Sequence, residues 1–199
     1  MDGCGKTTVA KALAERFNYQ YLAKPFAYFF EGMGFDSKQI KDIEWKVWET
    51  EDEALITLLY GMGLLYGTRC IAEDNIVYDR HYASNYYWHG NVETDSLHKE
   101  IMRLGGQPDL TIVLVASVET RMRRIYERDK TDQDLSNSAM YDYGYKKLVH
   151  FLNDNNISYV IIDTENKPVE EIIAEAIVCI KKAQPTKLVK ERNETNGRN

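Results

Sequence analysis

Stretches with apolar residues at helical spacing take turns with short, continuously apolar runs along this chain. Positions 6–17 form an amphipathic run that predicts a helix. Positions 38–50 alternate charge with Ile40, Ile43, Val47 and Trp48 at helical spacing, and Ser37 is placed to cap them. Positions 51–69 predict a second long helix that sets Leu55, Leu58, Leu59, Met62, Leu65 and Tyr66 on one broad face. Further helices are predicted over 95–104, over 118–128 with Ser117 as the cap, and over 139–153 and 169–182. Apolar runs at 19–22, 75–78, 110–116 and 157–163 predict four strands. Strands that are apolar on both faces and alternate with helices imply a parallel β-sheet with helices on both faces, an α/β fold.

The first predicted helix is preceded by Asp2-Gly3-Cys4-Gly5-Lys6-Thr7-Thr8. Gly5-Lys6-Thr7 fills the last three places of the P-loop pattern G-x-x-x-x-G-K-[ST], and 1–4 fill the variable ones. The chemistry of that pattern is specific. Successive backbone N–H groups of a glycine-rich turn form a concave nest for phosphate oxygens, and the helix behind it adds its positive end. In that arrangement Lys6 reaches the β- and γ-phosphates and the Thr7 hydroxyl ligates Mg²⁺. The other interpretation is a glycine-rich turn followed by an ordinary lysine. The first glycine of the pattern would stand one place before Met1, together with the strand that delivers the chain to such a loop. The sequence therefore predicts a sheet whose first central strand is missing from this chain.

Composition narrows the class. The chain has 199 residues, 44% of them hydrophobic, which suits one domain with a real core. We expect that domain over 1–183, with a polar, disordered tail over 184–199. A net charge of −6 argues against non-specific nucleic-acid binding, which needs a basic surface. The three cysteines, Cys4, Cys70 and Cys179, have neither zinc spacing nor a disulfide framework, so a reduced, cytoplasmic setting is expected. The most apolar long stretch, 54–66, is too short to span a membrane.

Four segments in order resemble one family. Residues 1–8 look like the phosphate loop of the thymidylate kinases, P-loop kinases of nucleosides and nucleoside monophosphates. Ile76-Val77-Tyr78-Asp79-Arg80-His81 is similar to that family's apolar strand ending in Asp-Arg. Pro108-Asp109-Leu110-Thr111 is similar to the Pro-Asp-Leu-Thr strand that follows, and 119–128 to the helix leading into the lid. The resemblance implies ATP and Mg²⁺ as cofactors and transfer of phosphate to a nucleotide acceptor, dTMP first. It also implies a homodimer. The alternatives are a deoxynucleoside kinase and a nucleotide-binding protein or fragment without catalysis.

The resemblance assigns roles to residues. Gly3, Cys4, Gly5, Lys6, Thr7, Thr8 and Arg124 would hold ATP. Thr7 and Asp79 would hold the metal. Lys6, Asp79, Arg80 and Arg128 would serve the transfer, and Asp2, Lys24, Tyr60 and Arg80 would hold the acceptor. The residues also speak for themselves. Asp79 ends an apolar strand at the sheet's carboxyl edge, where ligands bind. Arg80 offers a forked donor to phosphate. Arg124 and Arg128 share a helix face, while Arg121 and Arg123 equally suit a solvated face. The sequence departs from the family at two places. Ala23-Lys24-Pro25 stands where Arg-Glu-Pro is usual, and Leu64 stands where an arginine reads thymine. The aromatic run at 82–89 suits a nucleobase pocket, a core or a dimer face.

Overall fold

The computed structural model describes residues 2–132, 135 and 141–183. The tail expected over 184–199 lies outside the described residues. In chain order the elements are α1 (Lys6–Phe17), β1 (Gln20–Ala23), α2 (Phe26–Glu31), α3 (Ser37–Trp48), α4 (Glu53–Tyr66), a π-helical turn (Gly67–Ile71), β2 (Ile76–Asp79), α5 (Tyr82–His89), α6 (Asp95–Gly105), β3 (Thr111–Val115), α7 (Val118–Arg128), α8 (Tyr141–Asp154), β4 (Tyr159–Asp163) and α9 (Val169–Ala183). The chain is thus mixed α/β with parallel strands, as the patterning predicts.

The strands fall into two parallel pairs, not one sheet. β1 lies beside β2 with Gln20 opposite Ile76, and β3 beside β4 with Thr111 opposite Tyr159. Among the described residues no strand joins the pairs. A slot of about 330 Å³, lined by Val9, Leu13, Phe17, Val77, Ile112 and Leu114, lies between β2 and β3. α1 closes one side of it, packing on β2 and on α9.

Local chemistry sets the helix ends. The cap of α3 is Asp36, not Ser37. Its carboxylate accepts from the backbone N–H of Lys38 and Gln39, both at 2.9 Å, and the Gln39 side chain accepts from the Asp36 N–H, a capping box. Asp52 caps α4 and Ser117 caps α7, the latter as expected. The apolar face of α4 also differs from expectation. Ile56, Thr57, Leu59, Gly61, Gly63 and Leu64 are buried, whereas Leu55, Leu58 and Met62 stand 48%, 43% and 41% exposed. The helix packs on α2, α5 and α6 through its small residues. With the π-turn it runs unbroken from Glu53 to Ile71, 19 residues, so the apolar stretch is longer than the sequence suggests and reaches membrane-spanning length and hydropathy.

The core has three parts. One joins α4, α5, α6 and α8 around Tyr86, Ile101, Phe151 and Leu152. A second, with Val9, Leu13, Leu114, Ile162 and Ile172, lies under the loop before α1. The third joins α2, α3 and α4 around Phe26, Phe30, Ile40 and Leu59. The second and third flank the site described next.

Candidate active site

The loop before α1 turns at Gly3 (φ 79°) and Gly5 (φ 83°), left-handed values that glycine adopts without strain. A turn of this kind ahead of a helix N-terminus concentrates backbone N–H groups, a cradle for phosphate. The loop rests on the core through Cys4, whose side chain is fully buried. Burial pushes the Cys4 thiol up, so it stays protonated and serves as packing.

The charged groups of the loop meet those at the end of β2. The Asp2 carboxylate accepts from Lys6 Nζ at 3.3 Å and pairs with the Arg80 guanidinium. Burial works to raise the Asp2 carboxyl, but Lys6 and Arg80 outweigh it and hold it well below the usual carboxylate range. Burial pulls the Lys6 ammonium down, Arg80 adds to the pull, and Asp2 opposes it. Arg80 itself has φ 78°, a left-handed conformation that costs a non-glycine residue about 1–2 kcal/mol. The strained turn carries its side chain back to the loop.

Asp79 is the last residue of β2 and is 3% exposed. Thr7 Oγ1 donates to its Oδ2 at 2.5 Å, and the Tyr21 hydroxyl donates to the same oxygen at 3.2 Å. Burial, with the Asp79 charge, pushes the Tyr21 phenol up to about 12. Asp79 Oδ1 has no hydrogen-bond partner among the described residues. An orphaned, buried carboxylate oxygen beside a threonine hydroxyl is the oxygen donor set that a hard divalent cation takes, so these residues fit Mg²⁺.

The remaining expected residues divide. Arg124 donates to the Thr164 hydroxyl at 3.0 Å, to the Thr164 carbonyl at 2.7 Å and to the Gly3 carbonyl at 3.4 Å. It ties the loop to the segment after β4. Arg128 is exposed and pairs with Asp132. Arg121 does not belong to a solvated face. It is fully buried, and its backbone lies against Gly3. Arg123 is exposed. Lys24 is exposed, has φ 43°, and its backbone N–H bonds the Asp79 carbonyl at 3.0 Å.

A cavity of about 740 Å³ opens beside these charges, with Asp2, Lys24 and Arg80 at one end and Glu44, Tyr60 and His89 among its other lining residues. Tyr60 stacks flat on His89, centroids 5.5 Å apart and planes 8° from parallel. The aromatic run at 82–89 serves two ends: Tyr82, Tyr86 and Tyr87 are core, while Trp88 and His89 line the cavity. Residues that the sequence did not point to are Glu44, Trp48, Glu53 and Asn85. They come from three helices at irregular spacing, and only the fold brings them to one wall.

Three comparisons bear on this site. Residues 1–177 match the family model described as thymidylate kinase. A protein named "Probable thymidylate kinase" from Methanococcus maripaludis is 26% identical over 190 residues, covering 90% of this chain and 91% of that protein. A "Cytidylate kinase" from Methanocaldococcus jannaschii is 25% identical over 194 residues, covering 92% and 96%. Among solved structures, a deoxyadenosine kinase from M. mycoides with bound dCTP superposes with a TM-score of 0.61 at 16% identity, covering 92% of this chain and 96% of that one. At that identity the likeness shows the fold alone, a P-loop α/β fold shared with that protein.

Proposed function

Since the chain belongs to the thymidylate kinase family and is a nucleotide kinase, we propose that it moves the γ-phosphoryl group of Mg-ATP to a nucleoside monophosphate, in the cytoplasm and as a homodimer. What carries the proposal is the convergence of Lys6, Arg80 and Asp2 between the glycine-rich loop and the mouth of the large cavity. Cations at that junction are placed to face both a donor phosphate in the loop and an acceptor phosphate in the cavity.

Phosphoryl transfer asks for positioning and charge neutralisation more than covalent chemistry. In this proposal the backbone of 3–8 cradles the ATP phosphates and Lys6 neutralises them. Thr7 and Asp79 hold Mg²⁺, which supplies Lewis-acid charge to the phosphate oxygens when bound. Arg80 faces the group in transfer, and Arg124 braces the loop. Lys24 offers a point charge to the acceptor phosphate, where an arginine would offer a fork. Asp2 holds the acceptor sugar once phosphates replace it as partner of the two cations. Tyr60 gives the base a face to stack on, and Arg128 adds charge from the C-terminal end of α7. The exposed stripe Leu55, Leu58 and Met62 on α4 suits a dimer face.

The family's name and that of the M. maripaludis relative point to dTMP as the acceptor, whereas the lining of the cavity points to another base. A second acceptor class, monophosphates with an amino-bearing base, is favoured by Leu64, which gives the cavity no donor where a thymine carbonyl would seek one. The relative named a cytidylate kinase supports it.

The test is Lys6→Ala. We expect turnover of ATP with the acceptor to fall by about 10²-fold or more and the circular dichroism spectrum to stay unchanged. Turnover within a few-fold of the parent would remove the loop from the reaction.

A further inference from the structure

We propose that the end wall of the acceptor cavity reads the base by accepting hydrogen bonds from it, and so selects a nucleoside monophosphate whose base carries an amino group where thymine and uracil carry the 4-carbonyl, as cytosine and adenine do. This rests on the cavity being the acceptor site of a nucleotide kinase. With the phosphates held at the end marked by Asp2, Lys24 and Arg80, the base lies toward Glu44 and Trp48 of α3, Glu53 and Tyr60 of α4, and Asn85 and His89 of α5.

Most neutral N–H and O–H groups of that wall already have a partner, and the Asn85 amide engages one of its two N–H groups. Trp48 Nε1 donates to the Tyr60 hydroxyl at 2.9 Å. The Tyr60 hydroxyl donates to Glu44 Oε1 at 2.5 Å. Asn85 Nδ2 donates to the Thr57 carbonyl at 3.2 Å. His89 Nδ1 lies 2.9 Å from Glu53 Oε2. A carboxylate has no proton to give, so the imidazole proton sits on Nδ1. Burial lowers the His89 pKa, which keeps the ring neutral.

What the wall has left are chiefly lone pairs, beside the second N–H of the Asn85 amide. Asn85 is 6% exposed, lines the cavity, and its Oδ1 has no partner among the described residues. The carboxylates of Glu44 and Glu53 keep further acceptor capacity. An amino group brings two N–H donors to such a wall. Thymine and uracil bring one N–H between two carbonyl oxygens, which would face other acceptors. The cations near the cavity do not reverse this. Arg80 is paired with Asp2, and its charge reaches the Tyr60 phenol only as the smallest influence there, behind burial and Glu44. Lys41 lines the cavity from the outer side of α3 and is exposed to water. Lys147 bears on the His89–Glu53 pair from α8, and its own pKa is lowered by burial.

Two measurements on the full chain separate this inference from the proposed reaction. Isothermal titration with dCMP, dAMP, dTMP and dUMP at one salt concentration reads the base. ATP turnover with the same four reads the reaction. We expect dCMP or dAMP to bind about tenfold or more tightly than dTMP and dUMP, because a mismatched base sets its carbonyl oxygens against the acceptors of the wall. Glu44→Gln puts an amide donor in the wall and should narrow that ratio to about threefold. Glu53→Gln, at an exposed position that tolerates the change, should narrow it as well. Binding of dTMP equal to or tighter than both amino-bearing nucleotides overturns the inference, as does binding of none of the four. A parental preference that neither variant changes also overturns it. Preferential binding of dCMP or dAMP without turnover of any acceptor keeps the inference and overturns the reaction.

Discussion

Gly3 sits where the phosphate loop presses on the backbone of α7. A Cβ built there would lie 2.6 Å from the Arg121 carbonyl oxygen, and φ is +79°. Neither the clash nor the strain has a flexible side chain to absorb it. Gly3→Ala should therefore cost about 2–4 kcal/mol in stability, read as a lower urea midpoint with an unchanged slope. A loss under about 0.5 kcal/mol would mean that the loop moves off α7 freely. The positions of Gly3, Lys6, Thr7, Asp79 and Arg80 are legible in the sequence because they are set by chain-local geometry: a tight turn, a helix start, a strand end. Those of Arg121 and Asn85 are not. A buried arginine and a buried amide get their meaning from what packs against them, and nothing in the local pattern records that.

The elements tell a similar story. Helices with a clean period, such as α1, α7 and α9, were readable to within about a residue at each end. α2 and α5 were not. Their aromatic runs, 26–30 and 82–88, have no polar face to mark a period, and packing against α4 and α8 makes them helical. α4 was readable as a helix but not in its orientation, since small residues form its tightest contact. A Cβ on Gly63 would lie 2.3 Å from the Phe26 Cα. The substitution Gly63→Ala should push α2 away from α4 and lower stability by about 3 kcal/mol, despite alanine's better helix propensity. A thermal midpoint at or above the parent's would show that α2 is free to slide. Because α2 follows Lys24 and Pro25, the variant should also weaken nucleotide binding.

On the scale of the whole molecule, two enclosed histidines tie stability to pH. Burial pulls the pKa of His81 to about 3 and, with a smaller push from His89, that of His98 to about 4. Unfolded, both titrate near 6.5. Below that value the unfolded chain binds more protons than the folded one, so stability rises with pH. The contribution is fully present above pH 6.5 and is lost as pH falls toward the folded values. Between pH 7 and pH 5 the two together should remove about 4 kcal/mol, read from urea unfolding at each pH. A flat profile over that interval would mean that one or both rings open to water. The parallel α/β class was legible from apolar strands alternating with helices. The division of the strands into two pairs was not, because patterning shows which segments are strands and not which edges meet. The three charges at the junction of loop and cavity have a further consequence. In ion-exchange language the phosphate loop rests loaded, with Asp2 as the resident counter-ion of both Lys6 and Arg80. A monovalent anion that displaces it swaps one charge for another and gains little, whereas an oligophosphate engages both cations together. If the loop holds phosphate as proposed, it sorts anions by valence before it reads any shape, and Asp2 sets the threshold.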